Sequence, residues 1–340
     1  MRNGLATTLA ALFAALLLAA LFGAVVSAQR APGPSTPAGR IHDLEALYPP
    51  WQHGLGNGAL DHGLEFTIPP VDVLADFHGS IDHPDLVLYV SGNYFFAAAG
   101  LVDAFGNAYP RYRGHVYFET LPPGLLLKQM EAGGTVTSGN MTWTVKPDVF
   151  MAEFTASNDL VQQGKLVAPV IAFATNNLTI MVPAGNPAHV TGLADLGRAG
   201  LTLAMPNPQF EGVARQARAS LVKAGGEPLA EAVYGAKVRN GETVLTRIHH
   251  RQTPLFLMQH FVEAGVTWKS EAIFQEEVGN PIGHVDIPAE QNSVAVYSAA
   301  MVPDAPHPDA VRVWLDFLRS DAAFKVLDHY GFKRFEPKAP

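Results

Sequence analysis

The chain contains no cysteine. A disulfide, a zinc–thiolate site, a thiol nucleophile and a lipid attached through cysteine are all excluded. Charge is sparse, 16% of 340 residues, and acidic on balance, with 23 Lys+Arg against 31 Asp+Glu and a formal charge of −8. No basic tract interrupts that balance, so a nucleic-acid partner is not expected. The chain also lacks a Gly-x-Ser-x-Gly elbow, a Walker A loop and a His-Glu-x-x-His pair. No pattern singles out a catalytic group, and no enzyme and no cofactor are expected. Beyond the first 28 residues, no apolar run reaches the ~20 residues that span a bilayer.

The one long apolar run opens the chain. Arg2 precedes it, and residues 5–26 are apolar apart from Thr7, Thr8 and Gly23. Val26-Ser27-Ala28 fits small-x-small cleavage, so residues 1–28 read as a secretory leader cut before Gln29; the run is also long enough for an uncleaved anchor. Without Arg2 the mature charge becomes −9. Residues 29–39 are rich in Pro, Ala and Ser and read as a tether. Residues 41–85 carry five of the 13 histidines: His42, His53, His62, His78 and His83. They form either a metal-binding appendage or an irregular extension over the body. Their wide, uneven spacing favours the extension, since no pair stands at i, i+4 with a carboxylate.

From Leu86 onward, strand and helix patterns alternate, which points to an α/β fold. Strands are expected near 86–90, 115–119, 145–152, 177–182, 201–205, 262–268 and 293–301. Helices are expected near 94–105, 125–132, 157–164, 213–224, 309–319 and 321–329. About 310 residues remain after the leader, which suits two lobes better than one core. Leu86-Val87-Leu88-Tyr89-Val90 stops at Ser91-Gly92-Asn93, where a helix begins. Free backbone N–H groups and the positive end of the helix dipole converge on such a loop, and anions bind there. A similar strand-to-helix turn follows at 206–212, ending in Glu211 and Gly212. An ordinary β–loop–α unit has the same pattern, so the pattern alone does not decide.

Several phrases resemble the periplasmic solute-binding proteins of ABC transporters, in their molybdate/tungstate-type branch. Residues 88–105 look like that family's first strand and helix. Pro147-Asp148-Val149-Phe150 is similar to its Ala-Asp-Val-Phe. Ala174-Thr175-Asn176-Asn177-Leu178-Thr179-Ile180 resembles its crossover strand. Ala264-Gly265-Val266-Thr267-Trp268-Lys269-Ser270-Glu271-Ala272 resembles Ala-Gly-x-x-Tyr-x-Ser-Asp-Ala, and residues 307–332 look like the closing helix that ends in Tyr-Gly-Phe. The resemblance covers about 85–332. It implies a two-lobed type II periplasmic-binding-protein fold, with two α/β lobes joined by two crossover strands. Lobe 1 is expected at 86–173 plus 295–340 and lobe 2 at 174–294, closing by a hinge and docking on a membrane permease, as a monomer.

The resemblance also proposes a pocket. Ser91 and Asn93 match the first loop, and Thr120 stands where the second loop carries a serine. Gln209-Phe210-Glu211-Gly212 replaces Val-Pro-Ala-Gly and puts a carboxylate beside the cleft. Trp268 replaces a tyrosine, leaving only an indole donor, and Glu271 matches the motif Asp. The densest polar run is Arg247-Ile248-His249-His250-Arg251, whose arginines offer forks for an oxyanion and whose histidines offer hydrogen bonds or metal ligation. The ligand-binding candidates are therefore Ser91, Asn93, Tyr94, Thr120, Glu211, Gly212, Arg247, His249, Trp268 and Glu271. A small anion, foremost a molybdate-like oxyanion, is the leading ligand. A metal cation or chelate, or a sensor role for the same fold, stays open because Glu211 repels a naked oxyanion.

Overall fold

The computed structural model describes residues 76–138, 141–209, 211–246 and 249–337. The leader, most of the tether and extension, and Arg247 lie outside the described residues. So do His42, His53 and His62.

Elements follow in the order β1 (Asp76–His78), β2 (Leu86–Ser91), α1 (Phe95–Ala108), β3 (Val116–Leu121), α2 (Pro123–Glu131), β4 (Thr135–Ser138), β5 (Met141–Thr144), β6 (Val149–Glu153) and α3 (Phe154–Gln162). The long strand β7 (Val167–Pro183) comes next, then β8 (Leu203–Met205), α4 (Gly212–Glu231), β9 (Thr243–Leu245), α5 (Thr253–Met258), β10 (Ala264–Trp268) and α6 (Lys269–Glu277). The chain closes with β11 (Ile282–Asp286), β12 (Val294–Met301), α7 (Pro308–Phe317), α8 (Asp321–His329) and β13 (Lys333–Arg334). The main sheet runs β1-β3-β2-β6-β12-β7-β10-β8-β9, with β11 and β13 also pairing β7.

β7 organises this sheet. Its first part pairs β12 antiparallel, from Val167↔Met301 to Asn177↔Val294. Its last part pairs β10 from Leu178 and β11 from Thr179. One strand therefore belongs to both halves of the sheet. A strand was expected only at 177–182; the extended backbone begins ten residues earlier, at Val167, and runs unbroken to Pro183. Asn292 secures the crossing, because its amide accepts from Leu178 N (3.1 Å) and donates to Leu178 O (2.8 Å), as a paired strand residue would.

In the first half, β2 pairs β3 and β6 in parallel. Leu86, Leu88, Val90, Phe118 and Met151 face one side and pack with Leu101 and Phe105 of α1 and Trp314 and Phe317 of α7. Val87, Tyr89, Tyr117, Leu121 and Phe150 face the other side, against Leu126 of α2. Burial on both faces explains the unbroken apolar runs. Asp148, fully buried, ties this half together. It accepts from Val87 N (2.8 Å), from His307 N (2.7 Å) and from the His307 ring (2.9 Å), joining the start of β2 to the start of α7.

Three details depart from the sequence reading. A strand was expected over 145–152, but Thr135–Thr144 instead form the hairpin β4–β5 and β6 starts only at Val149. Trp143 holds that hairpin down by donating to the Tyr117 hydroxyl (3.1 Å). Residues 41–85 were read as an irregular extension, yet Asp76–His78 add the edge strand β1 to β3. The helix expected to end at Ala224 does break there, with non-helical Gly225 and Gly226, but resumes to Glu231.

Glu119 on β3 is fully buried; its carboxylate accepts from the Tyr117 hydroxyl at 2.8 Å. Burial pushes its carboxyl up to about 7, against the hydrogen bonds from Tyr117 and Gln129 that favour the ion. A raised acid binds its proton more tightly in the folded state. Its stabilising contribution is full below pH 4.5 and is lost as pH rises through about 7. Glu119→Gln should therefore flatten that slope and gain on the order of 3 kcal/mol over the native chain at pH 8 relative to pH 4. Urea unfolding at the two pH values reads this; parallel pH dependence in both proteins would contradict it.

Candidate functional site

The loop after β2 is a tight turn. Ser91 ends the strand, Gly92–Tyr94 form one 3₁₀ turn, and α1 begins at Phe95 without a side-chain cap on either element. Tyr94 points into the core, edge-on to Tyr297 of β12 at 5.1 Å. Asn93 stays half-buried, its amide 2.6 Å from the Tyr297 hydroxyl. Thr120 is not part of this group: its hydroxyl donates to Asp76 on the edge strand at 3.4 Å.

Arg251, from the second half of the sheet, sits against this loop. Its Nη1 donates to the Gly92 carbonyl at 2.7 Å, and its Cζ lies 4.7 Å from the centre of the Phe95 ring. Gly92 has no room to spare, since an added Cβ would lie 3.4 Å from that Cζ and 3.3 Å from the Leu121 carbonyl carbon. Next to this contact the two halves share an aromatic seam. Phe96 stacks on Phe274 of α6 at 5.0 Å, and Phe95 meets the same ring edge-on at 5.2 Å.

Behind Arg251 lies a buried polar core. The His250 ring sits between two carboxylates, Nδ1 3.0 Å from Glu211 and Nε2 3.0 Å from Glu271. Acceptors on both sides require a hydrogen on both nitrogens, which makes the ring an imidazolium. Burial alone would pull its pKa down; Glu271 and Glu211 outweigh that and hold it up to about 9. The remaining carboxylate capacity is also used. Glu211 accepts from Asn207 N (2.9 Å), His250 N (2.5 Å) and the Thr246 hydroxyl, and Glu271 accepts from the Thr267 hydroxyl. Glu211 is the residue before α4, yet its side chain turns back into this core and does not cap Gly212 or the helix.

His249 packs against His250 with ring centres 3.8 Å apart and planes tilted by 38°. Burial first, then the charges of His250 and Arg251, hold it well below the usual imidazole range, so it is neutral. A sharp bend from extended His249 into the 3₁₀ turn His250–Gln252 brings the two rings together. Both His250 nitrogens are already engaged, so the pair does not chelate jointly. Trp268 ends β10, is buried, and stands 6.3 Å from Tyr297.

The structure thus gathers Ser91, Asn93 and Tyr94 with Tyr297 and Arg251. It gathers Glu211, His249 and Glu271 around His250. Sequence reasoning overlooked His250 as a clamp and Tyr297 altogether. The run of two histidines and an arginine was a visible signal; its pairing with residues 39 positions upstream and 21 downstream was not.

Residues 86–333 match the model of the bacterial extracellular solute-binding protein family. The chain belongs to that family. A curated relative, the molybdate-binding protein ModA of Mycobacterium tuberculosis, is 26% identical over 241 residues, covering 70% of this chain and 83% of that protein. Among solved structures, the sulfate-binding protein SubI of Mycobacterium tuberculosis superposes with a TM-score of 0.59 at 22% identity, over 75% of this chain and 88% of that one. The periplasmic molybdate-binding protein of Azotobacter vinelandii gives 0.55 at 17%, over 74% and 100%. The fold is the two-lobed α/β fold of periplasmic binding proteins, and the chain is a solute-binding protein, not an enzyme.

His250→Gln would leave Glu211 and Glu271 buried beside each other without their cation, at a cost of roughly 3–5 kcal/mol. The clamp's contribution is full below pH 6.5 and is lost as pH rises through about 9. Urea titrations at pH 7 and pH 10 should therefore show a large deficit for the variant at pH 7 and a smaller one at pH 10. An equal midpoint at pH 7 would contradict the clamp.

Proposed function

We propose that this protein is the periplasmic substrate-binding component of an ABC transporter and that it captures a small oxyanion between its lobes. Lobe 1 comprises residues 86–173 and 295–340, lobe 2 residues 174–294, and the crossings at β7 and β12 are the hinge. Residues 1–28 act as the export leader, and the closed form is delivered to a membrane permease. The names of the mycobacterial and Azotobacter relatives, which speak of molybdate and sulfate, support an oxyanion class.

One observation carries the anionic reading. The two carboxylates nearest the cleft loop are spent on His250, backbone N–H groups and threonine hydroxyls, while a guanidinium is delivered to the loop itself. Carboxylates engaged in this way offer few free oxygens to a metal, and the charges of the His250 imidazolium and the Arg251 guanidinium offset theirs. Arg251 adjoining uncapped N–H groups favours negative charge. A metal would have to displace the imidazolium from both carboxylates before gaining any ligand there. Asn93, Ser91 and Arg251 are accordingly assigned to the ligand, Glu211 and Glu271 to the scaffold.

A thermal-shift screen with molybdate, tungstate, sulfate and phosphate, against divalent and ferric ions, tests this. Oxyanions should raise the melting temperature progressively with concentration. A shift by metals alone, reversed by chelator, would overturn the reading. Arg251→Ala should weaken the best oxyanion about 10–100-fold, by loss of a charged hydrogen bond. Calorimetric titration measures this, and unchanged affinity would remove Arg251 from the site.

A further inference from the structure

We propose that α6 latches the two lobes together. Part of the free energy of closing then comes from contacts between protein and protein, and the residence time of the solute is set from outside the ligand loop. This rests on the lobe boundaries proposed above, not on the identity of the solute.

α6 has two sides. Glu271, Ala272 and Gln275 are buried, and Ala272 packs with Met181, Ala204 and Phe256 inside lobe 2. Ile273, Phe274 and Glu277 share the other side, because residues three and four apart are neighbours on a helix. That side meets lobe 1. The Phe274 ring stacks on Phe96 of α1 at 5.0 Å, with planes 14° apart, and stands edge-on to Phe95 at 5.2 Å. Phe96 in turn meets Tyr330, just past the end of α8, at 4.7 Å. Ile273 lies against Gly331, where an added Cβ would come within 2.5 Å of its Cδ1. Glu277 Oε1 is 2.9 Å from His329 Nε2. At the inner end of this row the Phe95 ring backs the Arg251 guanidinium.

Each of these contacts joins one lobe directly to the other or braces a ring that does. A solute bridges none of them. Phe95, Phe96, Phe274 and Tyr330 are all half-buried in this arrangement. A hinge motion that draws α6 away from α1 returns their shared faces to water. The cost is the apolar area exposed together with the ring pairs lost. The ion pair of Glu277 and His329 is exposed and adds little. Phe274 meets two rings of lobe 1 at once, so the row depends on it most. A solute held between lobes leaves through the open form. A latch that disfavours opening therefore slows the departure of every solute alike, whichever groups of the loop hold it.

Stopped-flow binding of sulfate, molybdate and inorganic phosphate, native against Phe274→Ala, tests the latch. For each anion that the native protein binds, the dissociation rate constant should rise about tenfold, by the same factor for each, with association no slower. X-ray scattering without any of these anions should give a larger radius of gyration for Phe274→Ala than for the native chain. Should Phe274→Ala fail to fold, Phe96→Ala removes the stacked partner from the lobe 1 side and should reproduce both results. Unchanged dissociation, a loss of affinity carried by slower association, or equal radii overturns the latch and leaves the anionic reading intact. A native protein that binds none of the three overturns the anionic reading instead, and the scattering comparison then decides the latch alone.

Discussion

Everything distinctive about this binding protein depends on one buried cation, the His250 imidazolium between Glu211 and Glu271. Without it, the two carboxylates beside the inter-lobe loop would face each other in a medium that scarcely screens them. With it, three elements are tied: the turn before α4, the turn before α5 and the start of α6. The same bend that aims His250 at its carboxylates aims Arg251 at Gly92. The scaffold around His250 and the charge set against Gly92 are thus a single arrangement.

That arrangement resolves a tension between family and chain. Replacing neutral residues of an oxyanion pocket by Glu211 and Trp268 looks hostile to an anion. The structure turns Glu211 inward, surrounds it with donors, and sets the Arg251 guanidinium against the Gly92 carbonyl. Trp268 becomes part of the aromatic packing around Tyr297. The polar groups at the loop after β2 are then Arg251 and the amide of Asn93, which meets the Tyr297 hydroxyl of β12. Tyr297 lies on β12, so a strand that pairs β7 also touches that loop.

Much of the scaffold was legible in the sequence. The run from Leu86 to Val90 is apolar because it is buried on both faces, and its stop at Ser91-Gly92-Asn93 marks a real strand-to-helix turn. Pro147-Asp148-Val149-Phe150 matters because Asp148 staples β2 to α7, a cause no local pattern reveals. The β4–β5 hairpin was missed although its Thr-Val-Thr and Met-Thr-Trp-Thr alternation flanks a Gly-Asn pair, a turn signal open to reading. β11 went unread because its pairing partner, β7, lies about a hundred residues away. The site was legible mainly as a list of residue types. Thr120 looked equivalent to a pocket serine but is held by Asp76, and Glu211 was placed at the cleft by its position before a helix, not by where its side chain goes. Such directions depend on contacts between segments far apart in the chain, and periodicity carries none of that information.

The protonation state of His250 tests the central claim most directly. Nitrogen-15 NMR of the imidazole rings, with His250 assigned by its loss in the His250→Gln variant, distinguishes a cation from either neutral tautomer. A clamped His250 gives a doubly protonated ring at pH 7 that titrates near pH 9, beside a neutral His249. A neutral His250 at pH 7 would contradict the clamp, because two carboxylates would then be buried without a cation between them.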